Sequence, residues 1–481
     1  MQLAEYARLD ATGLAELVAR REVSPRELAE CAARAIEAAN PKVNAVVETY
    51  ADRIEGLDEA ALGQGPFRGV PTLIKDIMGY EEGRLVESGS RLCQGMTSPH
   101  TLHFAELLRA AGMNILGRTN APEYSIAGTA ENALYGDTSN PWRAGYSAGG
   151  SSGGAAAAVA AGMVPAAHGT DIAGSIRIPA GWCGGVGLKP SRGRVSFGPV
   201  LDENGFGLST TFMQTRSIRD TAALLDCLAI PQVGDPFIIP MPAEPYAELI
   251  RRAPGRLRIG WSVKPLMGVE VDPEVAEAVV ATAKLLAEMG HAVDEVDPKF
   301  DAGAVARFCD AWFFPFKQRL EGYAARTGRE IGPDTLEPVT LAVYRHSCSM
   351  NPDIFLEGIA ELNGARRRLA RVYEDCDIWL GPTLARPAEP WGRYNLGRTD
   401  VGYDDYVAEI LAVPCQFTVP HNVLGTPALT LPLAMHASGL PIGVQLGAGS
   451  AQEHVLLQLG SALEEAMPWA DRVPPLHVSR M

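Results

Sequence analysis

Two short stretches and one lysine carry the chemistry that can be read from this chain. The first stretch is GYSAGGSSGGAAAA, starting at Gly145, with three serines set among glycines ahead of an alanine run. The second is GTDIAGSIRIPAG, residues 169–181, a small-residue turn that contains Ser175. The lysine is Lys75 in VPTLIKD, residues 70–76, a lone cation closing an apolar run. A serine hydroxyl is a weak nucleophile until a base takes its proton. A lysine buried in a strand is costly unless it is neutral or paired, and a neutral lysine is a competent base. A turn of small residues presents successive backbone N–H groups, as an oxyanion hole does. Together these residues form a Ser-Ser-Lys constellation suited to acyl transfer.

Other readings of the glycine-rich stretch are weaker. GYSAG fits the G-x-S-x-G pattern of a nucleophile elbow, which needs a buried strand immediately before it. The preceding GDTSNPWRA is polar and contains proline, so no central strand is expected there and Ser147 is not the expected nucleophile. His421 and His454 are available as late triad histidines, so histidine supply does not decide the matter. A phosphate loop would need a lysine after the glycines, and none follows. Taken alone, GGSSGG also reads as a turn that merely lets a helix pack closely.

The elements that must position these groups alternate between strand and helix, which points to an α/β sheet. Helices are expected over 10–40, as a pair, with Thr12 capping the first and Ser24-Pro25-x-Glu27 opening the second. Further helices are expected at 101–110, 155–161, 217–226, 273–289 and 454–466. Strands are expected at 44–48, within 66–79, at 114–117, near 163–168, and at 257–262, 377–383, 428–432 and 441–447, the last two paired. Residues 145–154 and 169–181 read as loops. Residues 300–350, aromatic-rich around AWFFPF, read as less regular.

Composition narrows the function. The chain has 481 residues, 47% hydrophobic and 21% charged, enough to bury a large core. A net charge of −15 argues against a nucleic-acid partner. No apolar run is long enough to span a membrane, and the N-terminal segment lacks a signal-peptide core. The eight scattered cysteines form no CxxC pair and read as free thiols in a reducing compartment, so a cytoplasmic protein is expected. No histidine spacing suggests a metal, and no cofactor is expected.

With these motifs in hand, the sequence resembles the amidase signature family. GGSSGG at 149–154, GTDIAGSIRIPA at 169–180 and GVGLKPSRGRVS at 185–196 follow that family's signature in order and spacing. VPTLIKD, GRTNAPEYSIAGTAEN (117–132), NPW (140–142), FTVPHNVLGTPALTLPL (417–433) and GLPIGVQL (439–446) are similar to its remaining segments. The resemblance implies one amidase domain over 1–481, with a signature core at about 65–230 and 375–470. It also implies a variable substrate-side region at about 230–375, and a mixed sheet of about eleven strands flanked by helices on both faces. It implies that Ser175 is the nucleophile, Ser151 the relay serine after a cis peptide bond, and Lys75 the base. Backbone N–H groups of Ile172, Ala173, Gly174 and Ser175 would form the oxyanion hole, with Ser152, Thr170, Asp171 and Arg177 behind them. Ala173 stands where many members have glycine, and GYEEGRLVESGS lacks the Thr-Thr pair common after the lysine motif.

The expected partner is a small amide or carbamate. The sequence most resembles the stand-alone bacterial members, which include cyclic nylon-oligomer amidases, aryl acylamidases and urethanases. A glutamine-hydrolysing amidotransferase subunit and a non-catalytic scaffold are the alternatives, and a homodimer is common in the family. Tyr124, Trp182, Phe206, Trp312 and Phe316 are candidate pocket residues, although the aromatic cluster at 308–316 could equally be core. Arg177 and Arg192 read as uncommitted cations.

Overall fold

The computed structural model describes residues 1–201 and 204–481. Thirteen strands occur among them: β1 (Val46–Thr49), β2 (Pro71–Lys75), β3 (Asn114–Thr119), β4 (Ser139–Asn140), β5 (Arg143–Ser147), β6 (Ala166–Asp171), β7 (Val186–Lys189), β8 (Thr210–Thr215), β9 (Arg258–Trp261), β10 (Ala292–Glu295), β11 (Ile378–Pro382), β12 (Ala428–Met435) and β13 (Pro441–Ala448). Eleven form one mixed sheet in the order β1-β3-β2-β6-β8-β7-β12-β13-β11-β9-β10. The strands β2, β3 and β6 run parallel, as do β9, β10 and β11, and the centre is antiparallel. The central strands are buried along their whole length, which is why they read as continuous runs rather than alternating ones.

Helices flank this sheet. Ser24 caps the helix Pro25–Val43 through a full capping box with Glu27. The first helix, Ala11–Ala19, is capped by Asp10 rather than Thr12; the Asp10 carboxylate accepts from the Gly13 N–H, while Thr12 bonds to Asp220. The helix Gly153–Ala160 is almost featureless in side-chain size. Its alanines let it lie against β2, β6 and β8 at close range.

Three regions differ from expectation. Residues 143–147 form a strand, but it lies outside the main sheet, paired with β4 in a small ribbon and bridged from Tyr146 to Pro390. Residues 177–183 form a helix, closed by Gly184 in the left-handed conformation. Residues 302–369 are regular: four helices, Ala302–Phe313, Phe316–Thr327, Pro338–Ser349 and Pro352–Leu369. Within the expected variable region, β9 and β10 complete one edge of the main sheet.

All eight cysteines are free. No helix among the described residues is long and apolar enough to cross a membrane.

Candidate active site

Strand pairing builds the site's floor. The strands β2 and β6 are parallel neighbours, with Thr72 opposite Ala166 and Leu73 opposite Ala167. Their carboxyl ends therefore carry Lys75, Thr170 and Asp171 to one place, the usual binding edge of a parallel sheet. The Lys75 side chain is 1% exposed. Its Nζ donates to Ser151 Oγ at 2.7 Å and Thr170 Oγ1 at 3.0 Å, two neutral hydroxyls. Burial drives the ammonium down to about 7, and the Asp171 charge opposes only part of that fall. Behind it, His168 Nδ1 accepts the Lys75 backbone N–H at 3.2 Å, and burial pushes this imidazole down to about 3. The histidine is thus a neutral support.

Ser151 sits between β5 and the helix Gly153–Ala160, and its peptide bond with Gly150 is cis. Gly150 is required by space, because a Cβ there would collide with the Thr129 backbone. Ser152 faces away from Lys75. Its Oγ bridges the Thr170 carbonyl at 3.3 Å and the Thr170 N–H at 3.1 Å, while its own N–H donates to the Ser175 carbonyl at 3.2 Å. These bonds tie the two serine turns together.

Asp171 organises the second turn. Its carboxylate accepts from the N–H groups of Gly174 at 2.8 Å and Ile176 at 3.2 Å. It also pairs with the Arg177 guanidinium at 2.9 Å and accepts from Asn422 at 2.9 Å. Burial alone would raise this carboxyl; the Arg177 charge and hydrogen bonds, with Lys189 and Asn422, bring it down to about 2. Arg177 also donates to the Thr418 carbonyl, Gln445 and Asn422. It is fully committed, contrary to its reading as a spare cation. Arg192 is committed too, donating to the carbonyls of Gly207, Asn422 and Val423.

The Gly174 bond to Asp171 alters the expected oxyanion hole, since that N–H is already spent. Gly174 holds φ at 135°, and a Cβ would strike Thr418. The N–H groups of Ile172, Ala173 and Ser175 donate to no protein acceptor among the described residues.

A cavity of about 390 Å³ opens over this floor and reaches Ser151, Thr170, Ile172 and Ser175. Its walls include Ile77, Met78, Tyr80, Met96, Tyr124, Leu201 and Trp312. Of the five aromatic candidates, Tyr124 and Trp312 line it. Phe316 lies behind Tyr124, ring edge against ring face, 1% exposed. Trp182 is turned away and donates to the Arg386 carbonyl at 3.0 Å. Phe206 packs on Phe355. Phe308 and Phe313 are core, so the aromatic cluster is mostly core, with Trp312 its contribution to the cavity. Ser147 is also away from the cavity, bonded to Thr129 Oγ1 at 2.9 Å. Among the described residues, no group of three or more His, Cys, Asp or Glu is placed to hold a metal ion.

Sequence reasoning missed Asn422 and Gln445, which lie in quoted motifs but have no local feature marking them as partners of Arg177. It also missed Arg319 and Arg326 on the cavity wall. Their seven-residue spacing is the available signal, because two helical turns return to one face.

The sheet order and the lysine–serine floor define an α/β enzyme of the amidase signature class. The chain belongs to the amidase family, whose model matches residues 27–457. It is 37% identical over 478 residues to the 6-aminohexanoate-cyclic-dimer hydrolase of Paenarthrobacter ureafaciens, covering 97% of this chain and 96% of that one. An acylamidase of Rhodococcus erythropolis is 31% identical over 482 residues, covering 97% of each. The solved structure of a 6-aminohexanoate cyclic dimer hydrolase complexed with substrate superposes with a TM-score of 0.92, covering 98% of this chain and 99% of that one at 37% identity. These alignments take in most of residues 230–375, which the sequence resemblance left outside.

Proposed function

We propose that this amidase hydrolyses small amides through an acyl-enzyme formed on Ser175, with Ser151 as proton relay and Lys75 as base. The observation that carries the reading is the 2.7 Å contact from Lys75 Nζ to Ser151 Oγ at the cavity floor. A lysine titrating near 7 is neutral in a useful fraction at working pH, so it can take a proton rather than only stabilise charge.

In the proposed sequence, Ser175 Oγ attacks the amide carbon as its proton passes through Ser151 to Lys75 Nζ. The carbonyl oxygen becomes an oxyanion held by the free N–H groups of Ile172, Ala173 and Ser175; Gly174 is left out of that set. Asp171 holds the turn that aims them, so they need no rearrangement as charge develops. The C–N bond then breaks and the amine leaves with the proton returned through Ser151. Water, deprotonated by the same relay, cleaves the acyl ester.

A carbamate presents the same carbonyl to the same groups, and the similarity to a cyclic-dimer hydrolase and an acylamidase favours amides as the first substrates to test. A matched set of aryl amides, cyclic oligoamides, aryl carbamates and glutamine, run with wild type and Ser175→Ala, tests the reading. Amide hydrolysis falls by about 10⁴-fold or more in the variant. Full activity in Ser175→Ala, or its loss in Ser147→Ala alone, would overturn the proposal.

A further inference from the structure

The helix Phe316–Thr327 presents Arg319, Tyr323 and Arg326 along one face, and all three line the cavity that holds Ser151 and Ser175. Tyr323 fixes that face by stacking on Tyr124, centroids 5.9 Å apart and planes 4° from parallel. The Arg319 guanidinium lies 4.9 Å from the Phe316 ring centroid, and its Nε is buried with no hydrogen-bond partner among the described residues. Arg326 donates to the Thr97 carbonyl at 3.2 Å, which leaves further donors of its fork unused. On this same helix Lys317 pairs with Glu321. Yet no carboxylate lies within ion-pair distance of Arg319 or Arg326, and none lines the cavity, among the described residues. A half-buried guanidinium without an anion is an unmet demand, since arginine matches a carboxylate fork to fork. The chain's net charge of −15 makes this local cationic wall the more distinctive. The remaining walls mix apolar residues, Met78, Met96, Val200 and Leu201 among them, with the polar Ser98, His100, Ser125, Asn204 and Ser209.

We propose that the substrate is an amide bearing a free carboxylate, bound by Arg319 with Arg326 in support, with an apolar segment between that carboxylate and the scissile bond. The inference rests on the serine hydrolase reading above and names the substrate class for that site. Arg319 is on this account a specificity-determining residue; it takes no part in proton transfer.

Two probe pairs test it: adipic acid mono-para-nitroanilide against its methyl ester, and N-hexanoyl para-aminobenzoate against its methyl ester. Together they place the carboxylate on the acyl or the amine side. In at least one pair the wild type favours the carboxylate in kcat/KM by about 10- to 100-fold, the range of a charge-assisted hydrogen bond. In Arg319→Met that ratio collapses toward one, mainly through KM, and Arg319→Lys restores part of it. Arg326→Met lowers it less, and its ratio together with the wild-type ratio decides the matter should Arg319→Met fail to fold. No preference in either pair, no cleavage of any probe, or a ratio untouched in Arg319→Met overturns the inference. Ser175-dependent cleavage of the esters without preference overturns this inference alone. Cleavage that persists in Ser175→Ala overturns the serine mechanism instead.

Discussion

The cavity's floor and its helical wall are built on opposite principles. On the floor, polar groups answer one another: Lys75 to Ser151 and Thr170, Ser152 to Thr170, and Asp171 to Gly174, Arg177 and Asn422. Among the described residues, the groups left over include the Ser175 hydroxyl and the N–H set at Ile172, Ala173 and Ser175. On the wall, the helix Phe316–Thr327 carries guanidinium groups with no anion beside them among the described residues. A floor with its geometry locked suits a fixed chemical step. A wall with uncommitted donors suits selection among ligands. The contrast extends to the two buried lysines. Burial, with Arg177 and Arg192 adding to it, drives Lys189 to about 7 as well, yet among the described residues its Nζ meets only the Pro190 carbonyl, at 2.8 Å, and it lines no described part of the cavity. A lowered lysine is therefore not by itself a base; it must also reach a hydroxyl at the substrate's edge.

This comparison yields predictions of decreasing size. Loss of the Ser175 nucleophile is the largest, as given above. Next, Lys75→Met lowers kcat/KM by about 10²- to 10⁴-fold, the worth of a general base, whereas Lys189→Met leaves the pH profile's shape intact. In wild type kcat/KM rises as pH climbs through about 7 and the lysine loses its proton. A pH-independent rate from pH 6 to pH 8, roughly one unit either side of that value, would contradict the base assignment.

Stability carries the same signature. Both lysines have folded values lowered from 10.5 to about 7, so between these values the unfolded chain binds more protons. Wild-type stability therefore rises with pH across that window, and either methionine variant flattens the rise. Denaturant midpoints measured across it check the sign. Asp171→Ala removes one partner of a buried pair and leaves Arg177 uncompensated, at a cost of about 3–5 kcal/mol in unfolding free energy. An unchanged melting temperature would remove Asp171 as organiser of the turn. The smallest effect belongs to the wall: Trp312→Ala raises KM roughly tenfold with kcat nearly kept, the pattern of lost uniform binding. A fall in kcat alone would move Trp312 to the floor.

Much of the floor was legible in the sequence because its signals are local. Lys75 is a cation ending an apolar strand, and Ser151 and Ser175 sit in small-residue turns only 24 positions apart. The commitments of Gly174 and Arg177 were not legible. Arg177 reaches Asn422 and Gln445 across more than 200 positions of chain, and Gly174 gives its N–H to Asp171 three residues earlier, a turn in which the sequence does not show where the carboxylate points. The wall was misread for a different reason. Pro315 interrupts AWFFPF, but it is the N-cap of the wall helix Phe316–Thr327, where a missing N–H costs nothing. Once that segment is helical, the seven-residue spacing of Arg319 and Arg326 acquires meaning. The strand Thr210–Thr215 was passed over because its threonines and glutamine look solvated, although every residue of it is buried.

The account rests on which serine becomes acylated. Incubation with a fluorophosphonate, followed by peptide mapping in a mass spectrometer, reads this directly. The modification falls on Ser175, and in Lys75→Met it forms far more slowly on the same residue. A modification on Ser147 or Ser151, or none on any serine of the two turns, would contradict the central claim.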